Sequence, residues 1–317
     1  MPLMKVLVSG ASGMVGSALL PALAAAGHQV GRLVRPGSTG GAGTTGGSGA
    51  GRGTSGSFDV AWDPAAERID AAKLDGFDAV VHLAGVNIAS GRWTNALKDQ
   101  LRKSRVDSSQ LLSRALANMQ RPPRVLVQAS AIGFYGDRGD EALTEKSGRG
   151  HGFLPALCVA WESAAEPAEK RGIRTVFLRF GVILSAQGGA LTKMLLPFRL
   201  GAGGVVGSGK QFMSWITLDD AVGAIAHAVG TEGLHGPVNA VAPRAVTNLE
   251  FTKTLGRVLR RPTILPVPAF AARLAFGEMA DALLLASTRV VPEKLQATGF
   301  RFRQAEIEPA LRHLLTA

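Results

Sequence analysis

The stretch KVLVSGASGMVGSALL, residues 5–20, decides how the chain begins to fold. It opens as a short β-branched apolar run, ends in small and aliphatic residues suited to a helix, and has glycines at the joint. A strand that runs directly into glycines and then into a helix is the start of a βα unit. Gly10, Gly13 and Gly16 stand in a GxxGxxG frame. In such a frame the first glycine permits the tight turn, the second lets backbone approach a diphosphate, and the third lets helix and strand pack closely. The helix N-terminus then presents unpaired N–H groups and the positive end of its dipole to an anion. The spacing predicts a dinucleotide-phosphate loop built from Gly10, Ser12, Gly13, Met14, Val15 and Gly16.

Outward from this stretch, short apolar runs alternate with longer helical ones: HQVGRLVR (28–35), DAVVHLAG (78–85), a helix-period stretch near 94–118, and RVLVQAS (124–130). That alternation predicts parallel βαβ units and an α/β, Rossmann-type doubly wound parallel sheet. A second series follows, with a helix across 153–171, the strand RTVFLRFGVIL (174–184), a loop at Gly188-Gly189 and a helix ending near Pro197. QFMSWITLDDAVGAIAHAV (211–229) reads as a strand and then a helix, N-capped by Thr217 or Asp219. Beyond about 245, prolines at 262, 266, 268 and 292 break the pattern into short helices, read as a small C-terminal substrate-side lobe. The expected division is a nucleotide-binding domain over 1–180, strands and helices shared with the lobe over 181–245, and the lobe itself over 246–317. Residues 37–57 are almost wholly Gly, Ser, Thr and Ala, too poor in apolar surface to offset ordering entropy, and predict a flexible surface loop.

The end of the second strand selects the dinucleotide. An acidic residue there accepts ribose hydroxyls, whereas a cation accommodates a 2′-phosphate. HQVGRLVR supplies Arg32 and Arg35 and no Asp or Glu, so NADP(H) is expected over NAD.

Composition narrows the classes. The 317 residues are 46% hydrophobic, yet no run approaches the roughly 18 consecutive apolar residues of a membrane span. The formal net charge of +11 comes from scattered arginines, without Lys/Arg runs interleaved with aromatics, and one tyrosine is too few to stack on bases. No nucleic acid and no membrane are expected as partners. A single cysteine, Cys158, allows no intrachain disulfide, and the apolar run at Val6 leaves no room for a signal peptide before it. The cytoplasm is the expected location.

Dispersed motifs, in order, resemble one family: GASGMVG (10–16), VVHLAG (80–85), SRVDSSQLL (104–112), SAIGFYGDRGDEALTE (130–145), CVAWESAA (158–165), LRFGVILS (178–185), SWITLDD (214–220), PVNAVAP (237–243) and GRVLRRPTILPVP (256–268). The chain resembles the atypical and extended short-chain dehydrogenase/reductases, NAD-dependent epimerase/dehydratase-like proteins with a C-terminal domain of unknown function. The resemblance covers essentially everything but the 37–57 insert. It implies NADP along the carboxyl edge of the sheet, contacted by Leu83, Ala84 and Gly85, with the nicotinamide near Gly85 and Ser130.

Family chemistry uses a Tyr to exchange the substrate proton, a Lys to lower the Tyr pKa, and a Ser to polarise the reacting oxygen. Ser130 matches the serine, with Ala131 as a competing register. Leu154 stands at the Tyr position and Cys158 at the Lys position, while Arg105, also placed among the cofactor contacts, replaces the usual Asn. The catalytic candidates left are Ser130, Tyr135 and Cys158; Tyr135 also reads as a packed structural ring and Cys158 as a small buried hydrophobe. Asp137, Asp140, Glu141 and Glu145 form a solvated loop cluster, His82 reads as a packed strand-end side chain, and His151 and His227 lack metal-ligand spacing, so no metal is expected.

Two readings follow. In the first, the protein is an NADP(H)-dependent oxidoreductase or epimerase-like enzyme, acting as monomer or homodimer on a small molecule that bears phosphate or a nucleotide, with Ser130 polarising the reacting oxygen. In the second it is a non-catalytic NADP(H)-binding sensor or scaffold, as relatives linked to cell or plastid division suggest.

Overall fold

The computed structural model describes residues 3–35 and 58–316, so the loop expected over 37–57 lies outside the described residues. Lys5–Ser9 forms β1, Met14–Ala25 α1 and Gln29–Val34 β2; Phe58–Asp63 forms β3 and Arg68–Ile69 β4. Ala79–His82 (β5), Asn95–Ala117 (α2) and Val125–Ala131 (β6) continue the alternation, followed by the short strand Ala142–Leu143 (β7). The next elements are Phe153–Ser163 (α3), Glu166–Lys170 (α4), Arg174–Phe180 (β8), Val182–Ser185 (β9) and Gly189–Arg199 (α5). Phe212–Met213 (β10), Trp215–Thr217 (β11), Leu218–Gly230 (α6) and Gly236–Ala240 (β12) complete the central region. The C-terminal region holds Val246–Thr247 (β13), Asn248–Leu259 (α7), Ala269–Phe276 (α8), Glu278–Ala280 (α9), Arg289–Val290 (β14), Glu293–Ala297 (α10) and Ile307–Thr316 (α11).

One eight-stranded sheet, in the order β12-β8-β6-β5-β1-β2-β3-β4, carries the molecule, and every pairing in it is parallel except β3 with β4. This is the doubly wound α/β sheet expected. Alternate residues of each strand face opposite helical layers. Val6, Val8, Val81 and Val127 pack with Leu19, Leu23, Ala221 and Ile225 on one side. On the other side Leu7, Val80 and Leu126 pack with Leu112, Leu116 and Ala168. A separate core of Leu191, Leu195, Trp215, Phe251, Leu255 and Leu311 joins the C-terminal helices to α5.

Strand order reverses between β1 and β5: β1 is followed on one side by β2 and β3, and β5 leads away through β6 and β8 on the other. Such a switch point opens a crevice at the carboxyl ends of the strands. Two glycines let the chain close there. Gly10 has φ +68°, and a Cβ on it would lie 2.8 Å from the Leu83 carbonyl carbon. A Cβ on Gly16 would lie 2.2 Å from the Gly10 carbonyl oxygen.

The single helix expected across 153–171 is two helices, because Pro167 lies in the first turn of α4 and cannot donate back into α3. The run 174–184 likewise divides at Gly181, where the chain leaves β8 and β9 pairs with β11 instead. Thr217 is the cap of α6, its Oγ1 accepting from the Asp220 N–H at 3.2 Å. Gly16→Ala is expected to cost about 3 kcal/mol in urea unfolding through backbone overpacking. Gly148→Ala, which would meet nothing within 4 Å, is expected to stay within about 0.5 kcal/mol of the parent.

Candidate functional site

At the start of α1 the Gly13 N–H donates to the Gly10 carbonyl (3.0 Å), closing the turn. Gly13 is the N-cap of this twelve-residue helix, no side chain caps it, and its first turn holds no acidic residue. Ser12 and Gly13 are exposed there, and Met14 lies against Gly188 and Gly189 at the start of α5. The neighbouring loop is held by Ser9, a residue that sequence reading passed over. Its hydroxyl accepts from the Leu83 N–H (3.1 Å) and the Ala84 N–H (3.3 Å) and hydrogen-bonds His82 Nδ1 at 2.6 Å. His82 is fully buried, which lowers its pKa to about 4 and keeps the ring neutral at pH 7. It serves as a packed strut between Ser9, Ser108 and the edge of Trp62, as its strand-end position suggested.

At the end of β2, Arg32 grips Asp59 of β3 with Nε at 2.9 Å and Nη2 at 2.6 Å. A carboxylate therefore does stand at this edge, delivered by the neighbouring strand rather than by β2. Arg35 follows, exposed, one residue past the strand.

Around the end of β6 the side chains differ from what the family's ordinary chemistry would need. Leu154 and Cys158 of α3 sit against Gly133, and Cys158 Sγ donates to the Ala131 carbonyl at 3.7 Å. Burial, with Glu162 adding to it, pushes the Cys158 thiol up to about 12, so it is protonated at neutral pH and acts as a packing group. Ser130 donates its proton to Glu162 Oε1 at 2.6 Å. Glu162 is gripped in turn by Arg179 through Nε and Nη2, both at 2.8 Å. Arg179 Nη1 donates to the Tyr135 hydroxyl (3.0 Å), which donates to Asn239 Oδ1 (2.7 Å). Tyr135 is wholly buried, and burial raises its pKa against the opposing pull of Arg179. Each of the three catalytic candidates is hydrogen-bonded within the protein: the Ser130 hydroxyl to a carboxylate, the Tyr135 hydroxyl to an amide oxygen, and the Cys158 thiol to a backbone carbonyl.

The loop carboxylates also dock segments. Asp137 Oδ1 accepts from the Ser287 N–H (3.0 Å), Glu141 pairs with Arg138, and the buried Glu145 accepts from the N–H groups of Asn239 and Lys294. Of the cluster expected to be solvated, Asp137, Asp140 and Glu141 are exposed and Glu145 is buried. Among the described residues no group of three or more His, Cys, Asp or Glu is placed to hold a metal ion, and no helix is long and apolar enough to cross a membrane.

Residues 6–241 match the model of the NAD dependent epimerase/dehydratase family. The chain belongs to that family. Residues 267–314 match a second model, a domain of unknown function (DUF1731). The epimerase family protein Mb2239 of Mycobacterium bovis is 43% identical over 311 residues, 98% of this chain and 97% of that protein. The human epimerase family protein SDR39U1 is 35% identical over 316 residues, 98% of this chain and all of that protein. A crystal structure of human SDR39U1 (isoform2) with NADPH superposes with a TM-score of 0.85 at 34% identity, covering 99% of both chains. A nucleoside-diphosphate sugar epimerase from Corynebacterium glutamicum gives 0.75 at 34% identity over 99% of this chain and 58% of that one.

In this family member a buried ion pair occupies the space between β6, α3 and β8, with Arg179 and Glu162 side chains only 4% and 12% exposed. Burial opposes the Arg179 charge, and the paired carboxylate more than offsets it, holding the guanidinium above its ordinary range. Removing one partner strands a buried charge, which costs about 3–5 kcal/mol. Arg179→Met is expected to lose that much in denaturant unfolding. Arg179→Met combined with Glu162→Leu is expected to recover part of it, and a double variant no better than the single would show that the loss does not come from a stranded carboxylate.

Proposed function

We propose that this protein binds NADPH along the carboxyl edge of its sheet and delivers hydride from it to a small-molecule acceptor without a proton-relaying Tyr–Lys pair. The observation that carries this reading is the uncapped α1 N-terminus closed by Gly10 and Gly16 against the Leu83–Ala84 loop, at the switch point of the sheet. Backbone N–H groups from Ser12 to Gly16 take the diphosphate. Arg32 and Arg35 take the 2′-phosphate. Asp59 occupies two of the five N–H donors of Arg32, orienting the guanidinium while three stay uncommitted among the described residues. Leu83, Ala84 and Gly85 lie under the nicotinamide ribose, and Arg105 stands at the far end of the strip. The NADPH of the human relative supports the choice of cofactor.

The apolar pair Leu154 and Cys158, together with the committed protons of Ser130 and Tyr135, supports reduction over epimerisation. Hydride transfer requires a cofactor and an oriented carbon, whereas reversible oxidation of a substrate hydroxyl requires a base at the reacting oxygen. The proton that completes reduction comes from water.

The test is fluorescence titration with NADPH and NADH, followed by stopped-flow oxidation of bound NADPH against aldehydes, ketones, quinones and sugar nucleotides. NADPH is expected to bind at least tenfold more tightly than NADH, a margin of about 1.4 kcal/mol that Arg32→Ala with Arg35→Ala removes. Tight NADPH binding with no oxidation by any acceptor would replace this reading with a cofactor-sensing one. An unchanged NADPH preference in the double variant would overturn the assignment of the arginines.

A further inference from the structure

Arg105 of α2 reaches the segment that follows β5. One terminal nitrogen, Nη1, donates to the Leu101 carbonyl at 3.3 Å and to the Ser104 hydroxyl at 3.5 Å; Nη2 donates to the Val86 carbonyl at 3.0 Å. The guanidinium carbon lies 5.1 Å from the Trp161 ring centroid, and a Cβ on Gly85 would lie 3.4 Å from it. These partners are two backbone carbonyls, one hydroxyl and a ring face. No carboxylate among the described residues pairs with it.

The other half-buried or buried arginines near the sheet are each matched. Arg179 holds Glu162, and Arg32 holds Asp59. Arg174 donates to the carbonyls of Ala228 and Val229 at the end of α6, where the helix dipole is negative. Arg105 alone of these four lacks both a carboxylate and a helix C-terminus.

Three of its five N–H donors are used, which leaves the Nε–H and one Nη2 N–H without a partner among the described residues. Nε and Nη2 are the two nitrogens with which Arg32 and Arg179 grip their carboxylates. Burial works against the Arg105 charge, and the titratable group that bears on it is Cys158, whose thiol is protonated at neutral pH. A guanidinium keeps its charge under such conditions. An unpaired buried cation is costly to maintain and is relieved by an anion.

We propose that Arg105 is the anion-receiving group of the site. On the reading that the protein is an NADPH-dependent reductase, its open edge receives the negative oxygen that forms when hydride reaches a carbonyl carbon. The C4–H bond of NADPH breaks and a C–H bond forms at the acceptor. The carbonyl π pair moves onto oxygen, NADPH becomes NADP⁺, and the oxyanion, held by the Nε–H and Nη2 N–H donors, takes a proton from water and leaves hydroxide. The substrate class named is a carbonyl compound, and the group that replaces a proton donor is a fixed charge. Donors aimed at developing charge act most strongly where water is excluded.

Two measurements on the full chain separate this inference from the reading it rests on. In single-turnover oxidation of bound NADPH by an aldehyde and a ketone series, Arg105→Met is expected to slow hydride transfer about 100-fold. Its NADPH affinity is expected to fall far less than the rate does, and Arg105→Lys to recover part of the rate. In the NADP⁺ complex, acetate and benzoate stand in for the oxyanion. They are expected to change tryptophan fluorescence saturably in the parent, more weakly in Arg105→Lys, and not at all in Arg105→Met, all three sharing the parent's circular dichroism. Parent-like acetate binding or parent-like turnover in Arg105→Met overturns the inference, as does a loss of NADPH affinity as large as the loss of rate. Carboxylate binding that depends on Arg105 in a protein that reduces no carbonyl would sink the reductase reading and leave the anion site standing.

Discussion

Two loops meet at the switch point of the sheet with no room for a side chain between them, and the cofactor edge depends on that contact. Gly10 lies against the Leu83–Ala84 backbone and Gly16 against Gly10, each closer than any Cβ could allow. The turn after β1 is consequently tight, closed by the Gly13 N–H on the Gly10 carbonyl. Ser9 completes the joint from below, accepting from Leu83 and Ala84 while its contact with His82 ties the turn to β5. Burial keeps His82 uncharged, so the strut adds no charge of its own beside the turn.

Charge is distributed along this edge in an unusual way. Around the end of β6, Leu154 and Cys158 fill the Tyr and Lys positions of the family's ordinary chemistry, and Ser130 and Tyr135 are bound into a chain that runs through Glu162 and Arg179 to Asn239. A half-satisfied polar chain in a core is worse than none, and this one is closed at each of those members. It fastens β6, α3 and β8 together and reaches β12, where Asn239 Nδ2 donates to the Val291 carbonyl of the C-terminal region. Cations stand along the same edge: Arg32, paired with Asp59, and Arg35 just past β2 on one side, and Arg105 on the other. A site equipped with fixed positive charge and poor in proton donors suits a cofactor that supplies both electrons as hydride.

The parts of this arrangement that sequence could reveal are those set by neighbours in the chain. Gly10, Gly13 and Gly16 are read locally, because turn, helix start and strand end fall within twelve residues of one another. The two helical layers follow from apolar periodicity in the same way. Asp59 was not legible: it comes to Arg32 through the register of β3 on β2, and nothing near HQVGRLVR announces it. The chain from Ser130 to Asn239 was hidden for the same reason, since its five residues sit on strands, a helix and a turn spread over more than a hundred positions. Sequence marked Ser130, Tyr135 and Cys158 by residue type alone, and residue type cannot tell a free proton from one already shared. Sequence reading passed over Glu162, which accepts the Ser130 proton. Arg105 stood out by occupying an unexpected position; its lack of a counter-ion is a property of three dimensions.

The most direct test of the central claim, hydride delivery without a protein acid, is single-turnover oxidation of bound NADPH deuterated at C4, followed from pH 6 to 9. A primary isotope effect on a rate that stays flat across that range is the result expected if the cofactor supplies the hydride and water the proton. A rate that rises or falls through a titration assignable to a side chain of this protein would contradict it, and would mean that one of the protons now placed in the buried chain is released to the substrate.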